Sequence, residues 1–238
     1  MYFKMKIKIC GIFRYEDIEY INEAHPDYIG FVFAPSKRKV SPTLAAGLRA
    51  RLTKEIITVG VFVNAPVKEI ISLYQDGVIS IAQLHGSEDK EYIEQLKEES
   101  MKISLSGFGP IPVIKVIRSG LLEKLSENTK SREKLDNYSG SFIVICNMAD
   151  YLLIDSGAGC GKTFDWNILS PGTSCSSWLH SSGKKWFLAG GINMDNVKAA
   201  MGLNPFCIDI SGGAETDGIK DRKKVIQLTS IVRKGSIV

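Results

Sequence analysis

The chain has 238 residues, a net charge of +4, and 44% hydrophobic against 24% charged residues. These are ordinary globular values, which exclude disordered and collagen-like classes, and the length suits one α/β barrel. The apolar runs fall short of the roughly 18–20 residues that span a bilayer. The first residues, Met1-Tyr2-Phe3-Lys4-Met5-Lys6, lack the apolar core of a secretion signal. Lysines are scattered rather than blocked, and no helix-turn-helix, zinc or aromatic RNA-binding signature occurs. The expectation is a cytoplasmic protein with no membrane and no nucleic-acid partner. Five cysteines (Cys10, Cys146, Cys160, Cys175 and Cys207) lie at wide spacings without a CxxC pair, and three histidines are dispersed. That pattern predicts free thiols in a reducing compartment and no metal site.

In chain order, short runs rich in Ile, Val and Phe predict strands at 6–10, 28–33, 57–63, 80–84, 112–117, 151–155, 186–190 and 206–210. Amphipathic segments between them predict helices at Tyr15–Glu23, Pro42–Leu52, Val67–Asp76, Asp89–Glu98, Asp195–Met201 and Ile219–Arg233. Ser41-Pro42 and Asn193 followed by Asp195 are plausible helix starts. Eight strands alternating with helices imply a parallel sheet with right-handed crossovers, and eight is the number that closes. A doubly wound open sheet is the alternative. Cys10-Gly11-Ile12-Phe13 after the first strand, however, holds no GxGxxG fingerprint. The reading is therefore an α/β fold, a single-domain (β/α)8 TIM barrel over residues 1–238. Two stretches break the spacing and read as peripheral loop insertions, near 126–147 and 170–185. Within the first, the apolar run Phe142–Cys146 fits an extra strand or part of a helix.

Barrel active sites lie at the C-terminal ends of the strands, and seven of these eight ends carry polar or glycine residues. They are Cys10-Gly11, Ser36-Lys37-Arg38, Asn64, Gln83 with His85-Gly86, Asp155, Gly190-Gly191, and Ser211-Gly212-Gly213. A lone strand-end cysteine is more often a small core residue and a lone aspartate more often a cap. Seven such ends in order are harder to assign to loop solubility.

The motifs Lys8-Ile9-Cys10-Gly11, Gly30-Phe31-Val32-Phe33 with Ser36-Lys37-Arg38, and Val59-Gly60-Val61-Phe62-Val63-Asn64 occur in order. They are followed by Gln83-Leu84-His85-Gly86, Leu153-Ile154-Asp155, Gly161-Lys162-Thr163-Phe164-Asp165-Trp166, Ala189-Gly190-Gly191 and Asp209-Ile210-Ser211. Together they resemble the phosphoribosylanthranilate isomerase family of tryptophan biosynthesis, over about residues 6–225 outside the two insertions. The resemblance implies an Amadori rearrangement of a phosphosugar, with neither cofactor nor metal. It also implies Cys10 as the base that removes the C2′ proton and Asp155 as the acid that opens the furanose ring. It places Arg38 against the anthranilate carboxylate and the backbone of Gly190, Gly191, Ser211, Gly212 and Gly213 around phosphate. Gln83 and His85 are candidate pocket-lining residues, with a structural role the alternative. Asp165-Trp166 reads as the start of the helix after Asp155, with Trp166 in the core.

A cysteine base needs its thiolate stabilised. Lys8, two residues earlier on the same face of the strand, supplies charge, and Asp209 on the adjoining eighth strand is its candidate partner. Asp155 has the opposite need, a raised pKa, to serve as an acid near neutrality. Gly212 stands where the family usually has serine, and Cys160 where it has Ser or Thr, which puts affinity in question more than activity. The related sugar isomerase of histidine biosynthesis would carry aspartate in place of Cys10 and a second phosphate site. Indole-glycerol-phosphate synthase would need catalytic lysine and glutamate not found here. A catalytically silent phosphosugar-binding barrel would have lost the acid or base. The expected partner is the small phosphosugar substrate alone, bound by a monomer or homodimer.

Overall fold

A computed structural model describes residues 4–103, 109–122, 143–155 and 164–235. Eight parallel strands close into a barrel in chain order. They are β1 (Lys6–Cys10), β2 (Tyr28–Val32), β3 (Ile57–Phe62), β4 (Ile81–Leu84), β5 (Val113–Arg118), β6 (Tyr151–Asp155), β7 (Lys185–Leu188) and β8 (Cys207–Ile210). Each lies within two residues of its expected limits. Closure pairs β1 with β8 in a register that sets Lys8 beside Asp209 and Lys6 beside Cys207.

Strand side chains alternate between the two faces, and burial sorts accordingly. Ile7, Ile9, Ile29, Phe31, Leu152 and Ile154 point outward into the main core beneath the helices. Tyr28, Val59, Ile114, Leu153, Phe187 and Cys207 fill the barrel interior as a separate cluster. Lys8 and Cys10 share the inward face of β1.

Around the sheet run α1 (Tyr15–Ala24), α2 (Pro42–Ala50), α3 (Val67–Gln75), α4 (Lys90–Ile103), α5 (Ser174–Ser181), α6 (Val197–Gly202) and α7 (Arg222–Lys234). Their starts follow local chemistry. Ser41 caps α2, accepting from the Leu44 amide at 3.1 Å, with Pro42 in the first turn. Buried Asp17 accepts from the amides of Phe13 and Arg14 and pairs with the Arg14 guanidinium at 2.6 Å, fixing the start of α1 just beyond Cys10. None of the described helices is long and apolar enough to cross a membrane.

Three expectations need correction. The Ser-rich stretch near 170–185 is not a loop insertion, because it contains α5, which occupies the crossover between β6 and β7. Thr173 caps it by accepting from the Ser176 amide, and Cys175 and Leu179 are buried against the core, so packing overrides a composition poor in helix formers. The helix expected from Ile219 begins at Arg222, with Asp221 as its cap. Ile219–Lys220 instead forms a short antiparallel strand, β10, against β9 (Glu215–Thr216). Asn193 does not cap α6; Asn196 holds that place, while Asn193 closes the turn before it by accepting from the Asp195 amide. Residues 143–148 are helical, which resolves the apolar run ending at Cys146. The rest of the expected 126–147 insertion lies outside the described residues, apart from these.

Candidate active site

At the C-terminal mouth of the barrel lies a cavity of about 740 Å³. Into it β1 presents Cys10, β4 presents Gln83 with His85 just beyond it, and β6 presents Asp155. Arg38 enters from the loop after β2, Gly190 and Gly191 from the loop after β7, and Ser211, Gly212 and Gly213 from that after β8. The structure thus brings together every site residue expected from the sequence. Cys146, Cys175 and Cys207 are buried free thiols outside the cavity, and burial pushes the Cys146 thiol up to about 12. Cys160 lies outside the described residues. Asp165 caps a single 3-10 turn, Trp166–Leu169, accepting from the Asn167 amide, and half-buried Trp166 packs on the core.

Cys10 ends β1 with 9% of its surface exposed. Its neighbour across the sheet is Gly30 on β2, where a Cβ would come within 2.6 Å of the thiol sulfur, so only glycine leaves the thiol its place. Ser211 donates its hydroxyl to the Cys10 carbonyl at 3.1 Å, tying the ends of β1 and β8. Directly below, the fully buried Lys8 ammonium meets Asp209 at 2.8 Å. Burial works against that ammonium, but the Asp209 carboxylate and the Cys10 sulfur together outweigh it and hold Lys8 charged. The thiol has a different balance. Burial pushes it up, Lys8 pulls it down, Asp209 pushes it up again and Lys220 pulls it down, with a net rise above the ordinary cysteine range.

Asp155 faces His85, with Oδ2 3.2 Å from the ring Nε2. His85 Nδ1 in turn lies 3.4 Å from Gln83 Nε2, and Lys8 donates to Gln83 Oε1 at 3.0 Å. One chain of contacts therefore runs from beneath the thiol to the carboxylate.

The sequence reading missed a third group. Arg38 crosses the cavity wall against Gly11 and forks on to Glu215, with Nε at 2.5 Å and Nη2 at 2.7 Å from its two oxygens. Lys220 donates to the same carboxylate at 2.6 Å and to the Ser211 carbonyl at 3.2 Å. Burial would raise the Glu215 carboxyl, but Arg38 and Lys220 together hold it below the usual range. Glu215 and Lys220 face each other across the β9–β10 pair. The sequence signal was Asp217-Gly218, a hairpin dipeptide, and both residues have positive φ, +52° and +81°.

On the opposite rim, Gly190 and Gly191 both adopt positive φ, and the Asn196 side chain donates to the Gly191 carbonyl at 3.0 Å. Among the described residues no group of three or more His, Cys, Asp or Glu is arranged to hold a metal ion.

Comparison with known proteins agrees with this geometry. Residues 7–108 and 128–230 match the family described as N-(5′-phosphoribosyl)anthranilate (PRA) isomerase. The N-(5′-phosphoribosyl)anthranilate isomerase of Endomicrobium trichonymphae is 39% identical over 234 residues, 96% of this chain and 98% of that one. Among solved structures, the phosphoribosyl anthranilate isomerase of Thermus thermophilus superposes with a TM-score of 0.71 at 27% identity, covering 98% of this chain and 100% of that one. Another, in complex with reduced 1-(o-carboxyphenylamino)-1-deoxyribulose 5-phosphate, gives 0.69 at 27% identity, covering 97% and 99%. With a family match over most of its length and a barrel of the same form, the chain belongs to the N-(5′-phosphoribosyl)anthranilate isomerase family.

Proposed function

We propose that the cavity converts N-(5′-phosphoribosyl)anthranilate into 1-(o-carboxyphenylamino)-1-deoxyribulose 5-phosphate, the Amadori step of tryptophan biosynthesis. The observation that carries this reading is the meeting, in one cavity, of a buried thiol above a buried lysine and a carboxyl group set against a histidine. Asp155, protonated, gives its proton to the furanose ring oxygen. The C1′–O bond breaks, and the nitrogen lone pair forms an iminium. That positive charge acidifies the C2′ hydrogen. Cys10, as thiolate, removes it, the C2′–H electrons form the C1′–C2′ double bond of an enolamine, and tautomerisation gives the ketone. The tautomerisation adds a proton at C1′ and releases one from the C2′ hydroxyl, and the proton gained by Cys10 returns to Asp155 through solvent before the next turnover, so these steps need no cofactor or metal.

Arg38 receives the anthranilate carboxylate. Its Nε and Nη2 are already engaged by Glu215, and the outer Nη1 edge suits a second planar carboxylate. The glycine-rich turns after β7 and β8 cradle the phosphate on backbone amides.

The test is a fluorescence assay on freshly generated phosphoribosylanthranilate, run against an enzyme-free blank because the substrate is labile. Wild type is expected to consume it, with Cys10→Ala and Asp155→Asn each losing roughly a hundredfold or more in kcat while folded. No conversion above the blank sinks the isomerase reading in favour of a silent phosphosugar-binding barrel. An active wild type with equally active variants keeps the reaction and removes the assigned roles.

A further inference from the structure

Lys8 links the base side of the cavity to the acid side, and the link determines which nitrogen of His85 carries its proton. The Lys8 ammonium has only donors, so the Gln83 atom 3.0 Å away is the amide oxygen. The other end of that amide, Nε2, then lies 3.4 Å from His85 Nδ1. An amide nitrogen offers hydrogens and no acceptor, so Nδ1 must be the unprotonated ring nitrogen. The ring proton is left on Nε2, which faces Asp155 Oδ2 at 3.2 Å. Turning the amide over would aim its NH₂ group at the Lys8 ammonium. That clash would be unscreened, since Lys8 is fully buried and Gln83 is 2% exposed.

We propose that Gln83 is a positioning residue: pinned by Lys8, it fixes His85 as the Nε2–H tautomer, so that the imidazole donates to Asp155. Each end of the Gln83 amide is engaged within the barrel, which fixes its orientation at the cavity wall. His85 is no proton carrier. Its Nδ1 looks at a donor and has no source from which to reload, so the ring keeps its Nε2 proton throughout the reaction. What it supplies is a fixed donor for the carboxylate that appears when Asp155 hands its proton to the ring oxygen. A donor already in place at that moment stabilises developing charge without reorganisation. Lys8 keeps its own balance through Asp209. The catalytic part of this proposal rests on Asp155 being the acid; the tautomer does not.

The experiment reads the tautomer directly. Protein labelled with ¹⁵N-histidine is examined by long-range ¹H–¹⁵N correlation near pH 8, above the ordinary histidine range, with the His85 pattern identified by its loss in His85→Gln. Wild type is expected to show Nδ1 at the unprotonated shift and Nε2 at the protonated one. Gln83→Glu keeps an oxygen for Lys8 but turns a second oxygen toward Nδ1, so the Nδ1 signal should move to the protonated shift. The same variant should lose roughly tenfold or more in kcat with little change in KM. Gln83→Leu, which removes the donor but not the bulk, should give mixed tautomers and serves if the glutamate variant does not fold. A protonated or averaging Nδ1 in wild type overturns the proposal, as do nitrogen shifts unmoved by both Gln83 variants. A wild type inactive toward phosphoribosylanthranilate would remove the isomerase reading and leave this measurement standing.

Discussion

At the N-terminal end of the barrel the inward positions hold Tyr28, Tyr151, Phe187 and Phe206, whose rings meet in pairs with centroids 5.5–6.0 Å apart. At the C-terminal end the barrel turns in a thiol from β1, an imidazole from the end of β4 and carboxyl groups from β6 and β8. The change takes two steps of two residues. Along β8 the inward column runs Cys207, Asp209, Ser211; along β1 it runs Lys6, Lys8, Cys10; along β6, Tyr151, Leu153, Asp155. The lower layer is a largely aromatic plug, with Lys6 at its rim paired to Asp27. The middle layer can hold a buried ion pair because the plug closes it from below, and the thiol and carboxyl stand on top of that pair. A parallel barrel thus separates stability from chemistry along a single strand, and the two ends should respond differently to substitution.

The largest effect is expected where the two layers meet. Asp209→Asn leaves the fully buried Lys8 charge uncompensated, and breaking such a pair costs about 3–5 kcal/mol. The double variant Lys8→Met/Asp209→Leu, which extends the plug upward by one layer, should recover most of that stability. It should not recover activity, because Cys10 loses its cation and Gln83 its anchor. Below, Phe187→Ala should cost a similar amount, about 3–5 kcal/mol, as a fully buried aromatic. Assayed well under its melting temperature, it should keep kcat within about twofold. Chemical denaturation and initial rates on the same preparations decide the matter. A double variant with full activity would show that the middle layer is only packing.

The second way to sharpen the contrast is pH. Burial raises the Cys10 thiol above the ordinary cysteine range, so the thiolate, followed by its ultraviolet absorbance against Cys10→Ala, should grow as pH rises through the alkaline range. The sign for stability is the reverse. A raised thiol favours the folded state below the unfolded pKa of about 8.5, and that contribution fades as pH rises through the folded value. Thiolate formation and stability should therefore diverge above about pH 8. Lys220→Met, which removes a cation that pulls the thiol down, should shift the thiolate limb further up. A limb unchanged in that variant would detach Lys220 from the thiol.

The same layering explains what could be read in the sequence. The short runs rich in Ile, Val and Phe located the strands to within two residues, and Lys8 with Asp209 followed once closure made β1 and β8 neighbours. Each of those features is local or depends on one topological rule. The Arg38–Glu215–Lys220 group was lost because Ile219–Lys220 was absorbed into the helical period of α7, and a two-residue strand has no period of its own. The Asp217-Gly218 turn was the available signal. For α5, burial of Cys175 and Leu179 decides the helix, and no Ser-rich window carries that information. The thiol's rise was also out of reach, since it reflects how far burial outweighs two lysines, one of them on the missed hairpin.

That hairpin yields a smaller expected effect. Glu215→Gln keeps the shape but removes the charge that holds Arg38 and Lys220 together. Arg38 should lose its fixed direction, and KM should rise roughly tenfold, about 1.4 kcal/mol, with kcat changed less. If KM is unmoved while Arg38→Ala raises it, Arg38 reaches the substrate without help from Glu215.

The smallest effect is expected at two adjacent glycines, and it bears on the departure from the family pattern at Gly212, in the turn proposed to hold phosphate. A Cβ on Gly212 would meet nothing closer than Arg38 Nη2 at 3.5 Å, an ordinary contact. A Cβ on Gly213 would come within 1.9 Å of the Ile192 carbonyl oxygen, which belongs to backbone and cannot swing aside. Gly213 is therefore fixed by the close approach of the loops after β7 and β8, whereas Gly212 is not held by its surroundings. Gly212→Ser should fold as well as wild type and add one hydroxyl donor beside the proposed phosphate site. One neutral hydrogen bond contributes about 0.5–1.5 kcal/mol, so KM should fall a few-fold with kcat steady. Gly213→Ala should lower the melting temperature instead. An unchanged KM in Gly212→Ser would mean that the phosphate is held by backbone alone or lies away from the turn after β8. Inorganic phosphate as a competitive inhibitor separates those two, since only in the first does its inhibition weaken when Gly213 is replaced.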